Sequence, residues 1–180
     1  MTYVPSRTTV RIAASTWIRR SLFVGTLVCL AACDTRTPLA NAEASPDALG
    51  RRVLAAVERR DIDGLRNLAL SEREFREHVW PELPAARPER NLPFSYVWGD
   101  LHQKSEAALA TTIAEHGGRR LELVSVRSLG EATQYNTYTV RRQTELTVRD
   151  ERGDAIQLRL FGSIIEKDGV FKVFSFVVDD

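Results

Sequence analysis

The sequence predicts an α+β fold, in which N-terminal helices pack on a four-stranded antiparallel meander within one domain at residues 47–180. Apolar residues recur at helical spacing up to residue 116, and from residue 121 onwards they alternate as they do in strands. The turns between the predicted strands are short, whereas parallel strands need connections of about a dozen residues or more. The predicted strands are therefore antiparallel neighbours.

The composition is that of a globular protein without a nucleic-acid partner. Of the 180 residues, 43% are hydrophobic and 27% are charged, which excludes a collagen-like, low-complexity or wholly disordered chain. The 25 basic and 24 acidic residues leave a formal charge of +1, which gives no basic footprint for DNA or RNA. The first 32 residues hold four of the basic residues and none of the acidic ones, so residues 33–180 carry a formal charge of −3.

Residues 1–32 are predicted to be a signal peptide. Four arginines precede an apolar run at residues 21–30 (SLFVGTLVCL), and small residues follow it. This run is too short to cross a bilayer, because a membrane-spanning helix needs about 20 apolar residues. Its length is typical of the hydrophobic part of a signal peptide.

Leu30-Ala31-Ala32-Cys33 ends this segment and resembles the lipobox of bacterial lipoproteins. The resemblance implies cleavage before Cys33, a diacylglyceryl thioether on its sulfur, and acylation of the new amino terminus by a fatty acid such as palmitate. Several acyl chains give a stable anchor, so lipidated Cys33 would hold the protein on the periplasmic side of a bacterial cell membrane. Asp34 resembles an inner-membrane retention signal and favours the inner membrane. A plain secretory signal and a signal anchor are the alternatives.

Residues 33–46 are small, polar and proline-containing, which is typical of a flexible tether. A first helix is predicted after them, with Ser45 as its N-cap, Pro46 at its first position and apolar residues on one face. Asp61 is predicted to cap a second, shorter helix.

The capping box Ser71-Glu72-Arg73-Glu74 predicts the start of a third helix, which must end before Pro81. Four prolines punctuate residues 81–93, so no helix is expected to cross this loop. Residues 94–116 are the longest predicted helix, and two glycines end it.

Four strands are predicted at residues 121–129, 133–149, 155–166 and 170–178. The last strand is apolar on both faces, and Phe174 and Phe176 share the face that is expected to pack on the helices. The other face needs a curved sheet, another segment or another subunit to cover it, so a homodimer is one candidate assembly.

The chain begins its domain with two predicted helices, and residues 60–65 (RDIDGL) precede the second of them. It closes with strands that include residues 167–173 (KDGVFKV). This order resembles the nuclear-transport-factor-2-like superfamily, which includes SnoaL-like proteins and ketosteroid isomerases. The resemblance covers residues 47–178 and implies a cone-shaped fold. The proline-rich residues 81–93 depart from the small hairpin that the family has there, and a cystatin-like helix on a sheet is the neighbouring alternative.

Enzymes with this cone-shaped fold pair an acidic base with a tyrosine or a histidine in the cavity. The resemblance therefore implies Asp100, His102 and Tyr138 as catalytic candidates, with Tyr96 and Tyr135 as further tyrosines. They would serve a SnoaL-like isomerase or hydrolase, in which burial raises the pKa of the aspartate. The favoured alternative is that Asp100 and His102 lie on a solvated helix face and that the strand tyrosines are packing residues.

No cofactor or metal site is predicted. The histidines do not provide the three or four ligands that zinc needs, and no glycine-rich phosphate loop follows a strand. Residues 161–165 (FGSII) are not a serine-hydrolase motif, and Gly162 instead indicates a bulge or a close approach of the backbone.

An aromatic group flanks the proline-rich loop and consists of Trp80, Phe94, Tyr96 and Trp98. Aromatic residues beside a loop are typical of a ligand mouth or a protein-contact patch, and the alternative is a hydrophobic cap. Together with the absence of a nucleophile, metal set or cofactor loop, this group predicts a non-catalytic module that binds a protein partner or a small apolar ligand.

Overall fold

The computed structural model of the protein describes residues 37–178. This part of the chain contains four α-helices and seven strands, which confirms the α+β class. The helices are α1 (Pro46–Glu58), α2 (Ile62–Leu68), α3 (Glu72–Glu74) and α4 (Phe94–His116). The strands are β1 (Glu122–Ser128), β2 (Thr133–Gln134), β3 (Thr139–Arg142), β4 (Thr144–Arg149), β5 (Ala155–Leu158), β6 (Ser163–Lys167) and β7 (Val170–Ser175).

The first three helices begin where their capping residues predict. The side chains of Ser45 and Asp61 accept hydrogen bonds from the backbone of α1 and α2, and Ser71 and Glu74 form both bonds of a capping box. The chain continues from α3 as a π-helical turn at Phe75–Val79. Short 3-10 turns then carry it through the proline-rich loop, because prolines lack the N–H that an α-helix requires.

The strands form two antiparallel sheets, whereas the sequence predicts one four-stranded sheet. One sheet has the order β1-β4-β5 and the other has the order β2-β3-β6-β7. The predicted strand at 133–149 is divided at Gln143, whose φ of 51° is left-handed, and the predicted strand at 155–166 is divided at residues 159–162. Each of these chain segments therefore contributes to both sheets. The cone shape stays a prediction.

Two hydrophobic cores lie on opposite sides of β7. Leu49, Val53 and Leu146 belong to the first core, which includes residues of α1, α2, the second half of α4 and the three-stranded sheet. The second core surrounds Phe75 and Ile165 and includes residues of the π-helical turn and the four-stranded sheet. All the buried residues of both cores lie between residues 39 and 176, so a chain that begins at residue 34 retains every one of them.

The last strand buries both faces against the protein's own residues. Phe171 and Val173 pack on the first core, whereas Val170 and Phe174 pack on the second core. Phe176 follows the end of β7 and belongs to the first core, so the expectation that it shares a face with Phe174 is wrong. Segments of the same chain therefore pack on both faces of the strand, and the homodimer stays a prediction.

Part of the predicted tether packs on the domain. Leu39 is only 8% exposed and belongs to the second core, and the backbone of Glu43 pairs with that of Phe171. Ala69 forms a further bridge to Val173, so these two segments cover the outer edge of β7. Covering an edge strand hides backbone groups that would otherwise pair with another chain.

Gly162 and Gly99 provide a matched test of how closely the chain approaches Gly162. A methyl group on Gly162 would overlap the carbonyl oxygen of Val177, whereas a methyl group on Gly99 in α4 would meet no atom within 4 Å. We expect Gly162→Ala to lower the free energy of unfolding by about 1–3 kcal/mol or more. Gly99→Ala should raise it by about 0.5–1 kcal/mol, because alanine favours a helix.

Urea unfolding of both variants measures this difference. If Gly162→Ala were as stable as the wild type, the Val177 carbonyl oxygen would not lie as close to Gly162 as the structure has it.

Candidate functional site

The three catalytic candidates do not come together. Asp100 is exposed and forms an ion pair of 2.8 Å with Lys104. His102 is also exposed and stacks on the Trp98 ring, with 5.3 Å between the ring centroids. Tyr138 is buried in the second core, where its hydroxyl donates a hydrogen bond to the Val79 carbonyl and burial raises its pKa. This arrangement provides no acid–base pair around one substrate position.

Three of the four predicted contact aromatics pack into the second core. Phe75 lies at their centre, 6.0 Å from Phe94 and 5.3 Å from Trp98 between ring centroids, and Trp80 meets Phe94 edge-on at 5.5 Å. Tyr96 is 65% exposed. Packing explains the first three residues, which are partly buried, and Tyr96 is the one of the four that is mostly exposed to solvent.

Two clefts flank the first half of α4, and each has a volume of about 380 Å³. The residues lining the first, the α2–α4 cleft, include Arg66, Leu70, Glu72, Trp98, His102 and Phe176. Those lining the second, the α4–sheet cleft, include Leu83, Val97, Asp100, Tyr135, Arg142 and Ser163. Leu101 and Phe174 line both clefts and therefore lie between them.

The clefts exist because the first half of α4 packs loosely. Leu109 and Thr112 are the only buried residues of this helix, and both belong to its second half. The Thr112 hydroxyl also donates a hydrogen bond of 3.2 Å to the Leu160 carbonyl. The apolar side chains of the first half that face the domain, such as Leu101, remain partly exposed above the sheet.

The charges of the two clefts differ. In the α2–α4 cleft, Arg66 bonds to Glu106 at 2.7 Å, and this bond lowers the pKa of Glu106. In the α4–sheet cleft, Asp100 neutralises Lys104, and the guanidinium of Arg142 forms no ion pair or hydrogen bond with any residue in the described range 37–178. One cation is therefore left without a partner in the second cleft.

A buried ion pair joins α3 to β7. Lys172 donates to both carboxylate oxygens of Glu74 at 2.8 Å, and the two side chains are only 3% and 8% exposed. The same carboxylate accepts hydrogen bonds from the backbone of Ala40 at 2.7 Å and from the backbone and hydroxyl of Ser71, both at 2.8 Å. A carboxylate that receives this many donors is ionised, because a protonated group would place its own hydrogen against one of them.

The pKa of Glu74 agrees with this arrangement. Burial raises it, but the hydrogen bonds from Lys172 and Ser71 lower it by more, so the pKa lies below the ordinary value of a glutamate. Burial also lowers the pKa of Lys172, and Glu74 offsets that effect only in part.

The sequence did not predict the most informative residues of the clefts. Arg142 belongs to a pair of adjacent arginines that is typical of a solvated strand face, and Phe174 stands in an apolar strand typical of a core. Nothing in the sequence distinguishes Arg142 from Arg141. The strand breaks at Gln143, but the left-handed φ of this glutamine leaves no mark in the sequence.

Residues 37–178 provide neither a set of metal ligands nor a membrane-spanning helix. In that range, no group of three or more His, Cys, Asp or Glu side chains could hold a metal ion, and no helix has the length and apolar character to span a membrane. His78 is 1% exposed, and neither of its ring nitrogens has a hydrogen-bond partner. The predicted signal peptide, Cys33 and Asp34 lie outside the described residues.

Fold and geometry thus define an α+β domain with two ligand-sized clefts beside one helix. Comparison with protein-family models, curated proteins and solved structures finds no match to this chain. The resemblance to the nuclear-transport-factor-2-like superfamily therefore stays a prediction.

We expect Lys172→Met to lower the free energy of unfolding by about 3–5 kcal/mol, because it leaves the buried charge of Glu74 without its counter-ion. Adding Glu74→Gln should recover much of this loss, since the charge is then removed. Arg66→Met is the control, because its exposed pair with Glu106 contributes at most about 1 kcal/mol. Urea unfolding at pH 7 measures all three, and a loss below about 1 kcal/mol for Lys172→Met would contradict the role of the pair.

The same pair predicts a loss of stability in acid. The pKa of Glu74 is lowered by folding, so its contribution is present above the unfolded pKa of about 4.5 and is lost as the pH falls through the folded pKa. Unfolding measured between pH 7 and pH 3 should therefore show a smaller decline for the Glu74→Gln/Lys172→Met double variant than for the wild type.

Proposed function

We propose that this protein is a lipid-anchored bacterial lipoprotein whose periplasmic domain binds a small apolar or amphipathic molecule in the clefts beside α4. The N-terminal arginines, the short apolar run and the lipobox-like residues before Cys33 support the anchor. The two clefts support the binding function, because ligand sites in proteins have volumes of roughly 300–1,000 Å³ and mostly apolar linings.

The proposed anchor would hold the clefts near the membrane. Thr37 lies four positions after Cys33, and a fully extended chain spans at most about 3.6 Å per residue. The described domain would therefore begin within roughly 15 Å of the lipidated sulfur. A domain held this close meets molecules that concentrate at the lipid surface.

The positions of Asp100 and His102 support binding rather than catalysis. Asp100 lines the α4–sheet cleft and His102 lines the α2–α4 cleft, so a substrate in either cleft would meet only one of them. Both side chains are exposed to solvent, and the carboxylate of Asp100 is already paired with Lys104 at 2.8 Å. The SnoaL-like isomerase or hydrolase therefore has less support than the binding module.

Metabolic labelling tests the anchor. Cells grown with radioactive palmitate should label the wild-type protein, and Cys33→Ala should abolish the label because no thiol remains at the lipidation position. Fractionation of the same cells distinguishes the inner from the outer membrane, and Asp34 predicts the inner membrane. Equal labelling of the two proteins would show that Cys33 is not the lipidated residue.

A neutral fluorescent probe tests the clefts. We expect Nile red to bind residues 34–180, and Leu101→Trp to weaken its binding roughly tenfold, because the larger ring fills space between the two clefts. Val124→Trp is the matched control, since Val124 is an exposed residue of β1 that lines neither cleft. Circular dichroism establishes that both variants are folded.

The titration has two outcomes that would contradict the binding function. Wild-type protein that does not bind Nile red would show that the clefts do not admit an apolar molecule. Equal binding by Leu101→Trp and Val124→Trp would place the bound probe elsewhere on the domain.

A further inference from the structure

We infer that the natural ligand of the α4–sheet cleft is an amphiphile with one unbranched apolar chain and a single carboxylate head group, which Arg142 binds. The inference rests on the proposed function and names the ligand class of one of its two clefts. It is carried by a cation without a partner, by the lining of the cleft, and by the contrast with the other cleft.

Arg142 is positioned for this role by the strand that holds it. Successive side chains of a strand point to opposite faces, so Arg141 and Arg142 diverge. Arg141 bonds through its Nε to Glu166 at 2.9 Å, whereas Arg142 is exposed beside the cleft and its guanidinium makes no ion pair or hydrogen bond within residues 37–178. A free guanidinium at the rim of a cleft can bind a carboxylate with two parallel hydrogen bonds.

The lining of this cleft fits an apolar chain. Leu83, Val97, Leu101 and Val140 contribute aliphatic side chains, and Phe174 contributes an aromatic ring. Apolar atoms form the larger part of the exposed lining. Burying them against a hydrocarbon chain removes apolar surface from water, which favours binding.

The charge of the cleft matches a head group with one negative charge. Asp100 already neutralises Lys104 at 2.8 Å, so Arg142 leaves an excess of one positive charge. A phosphate monoester carries roughly −1.5 to −2 at neutral pH, which one guanidinium does not balance. A carboxylate carries a single negative charge and has the planar geometry of the guanidinium fork.

The α2–α4 cleft provides the contrast within the same molecule. Its carboxylates are already paired, Glu106 with Arg66 and Glu72 with Arg76, each at 2.7 Å. No cation is left over among the charged residues that line it, so it offers nothing to an anionic head group. The two clefts are equal in volume, and the unpaired Arg142 distinguishes them.

Displacement of Nile red from residues 34–180 tests the inference. Decanoate should displace the probe at pH 8 with an affinity roughly tenfold higher than that of 1-decanol, its uncharged counterpart. Arg142→Gln should remove this advantage and leave displacement by 1-decanol unchanged. Arg149→Gln is the matched control, because Arg149 is an exposed arginine of β4 that lines neither cleft. Displacement by decyl phosphate compares a phosphate head group with the carboxylate of decanoate.

Three results would overturn the inference while the proposed function stands, because all of them require that Nile red binds. The first is equal displacement of the probe by decanoate and 1-decanol. The second is an equal loss of decanoate affinity in Arg142→Gln and Arg149→Gln. The third is displacement by decyl phosphate at a much lower concentration than by decanoate. If Nile red does not bind the wild-type protein, the proposed function fails and the inference fails with it.

Discussion

The ion pair between Glu74 and Lys172 is the interaction on which the rest of the fold depends. It joins the end of α3 to the middle of β7 across 98 residues of sequence, and the same carboxylate binds the backbone of Ala40 and the cap of α3 at Ser71. Two separated charges would be costly to bury, but here the donors and acceptors satisfy one another. Three distant segments of the chain are thereby held in a single arrangement.

This arrangement also determines where the clefts lie. Phe75 follows Glu74 directly, and its ring contacts those of Phe94 and Trp98 on α4, while Phe174 approaches it at 6.3 Å from β7. The first turn of α4 is thus fixed by the residue next to the ion pair. Since Phe174 is two residues beyond Lys172, it is placed between the two clefts by the same strand. A disturbance of the pair would therefore reach the two clefts as well as the core.

The parts of the fold that sequence could predict are those with local causes. Ser45, Asp61 and Ser71 begin helices through bonds to residues three positions away, and the strands follow the alternation of their apolar residues. The partner of Glu74, the packing of Leu39 and the loose first half of α4 depend on contacts distant in sequence, which no local pattern records. The sequence named Trp98, Asp100 and His102, which line the clefts, but it could not place Arg142 beside Leu101, because these two residues meet only in the folded chain.

The clefts persist because α4 is held at both of its ends. Phe94 packs near its beginning, and Leu109 and Thr112 are buried near its end, whereas no residue between Phe94 and Leu109 is fully buried. Unfilled space beside a helix costs stability, since side chains there lose packing contacts. A domain selected for stability alone would fill that space with larger side chains and would pair Arg142 with a carboxylate. Departures from close packing and from charge pairing in the same cleft are typical of a functional site.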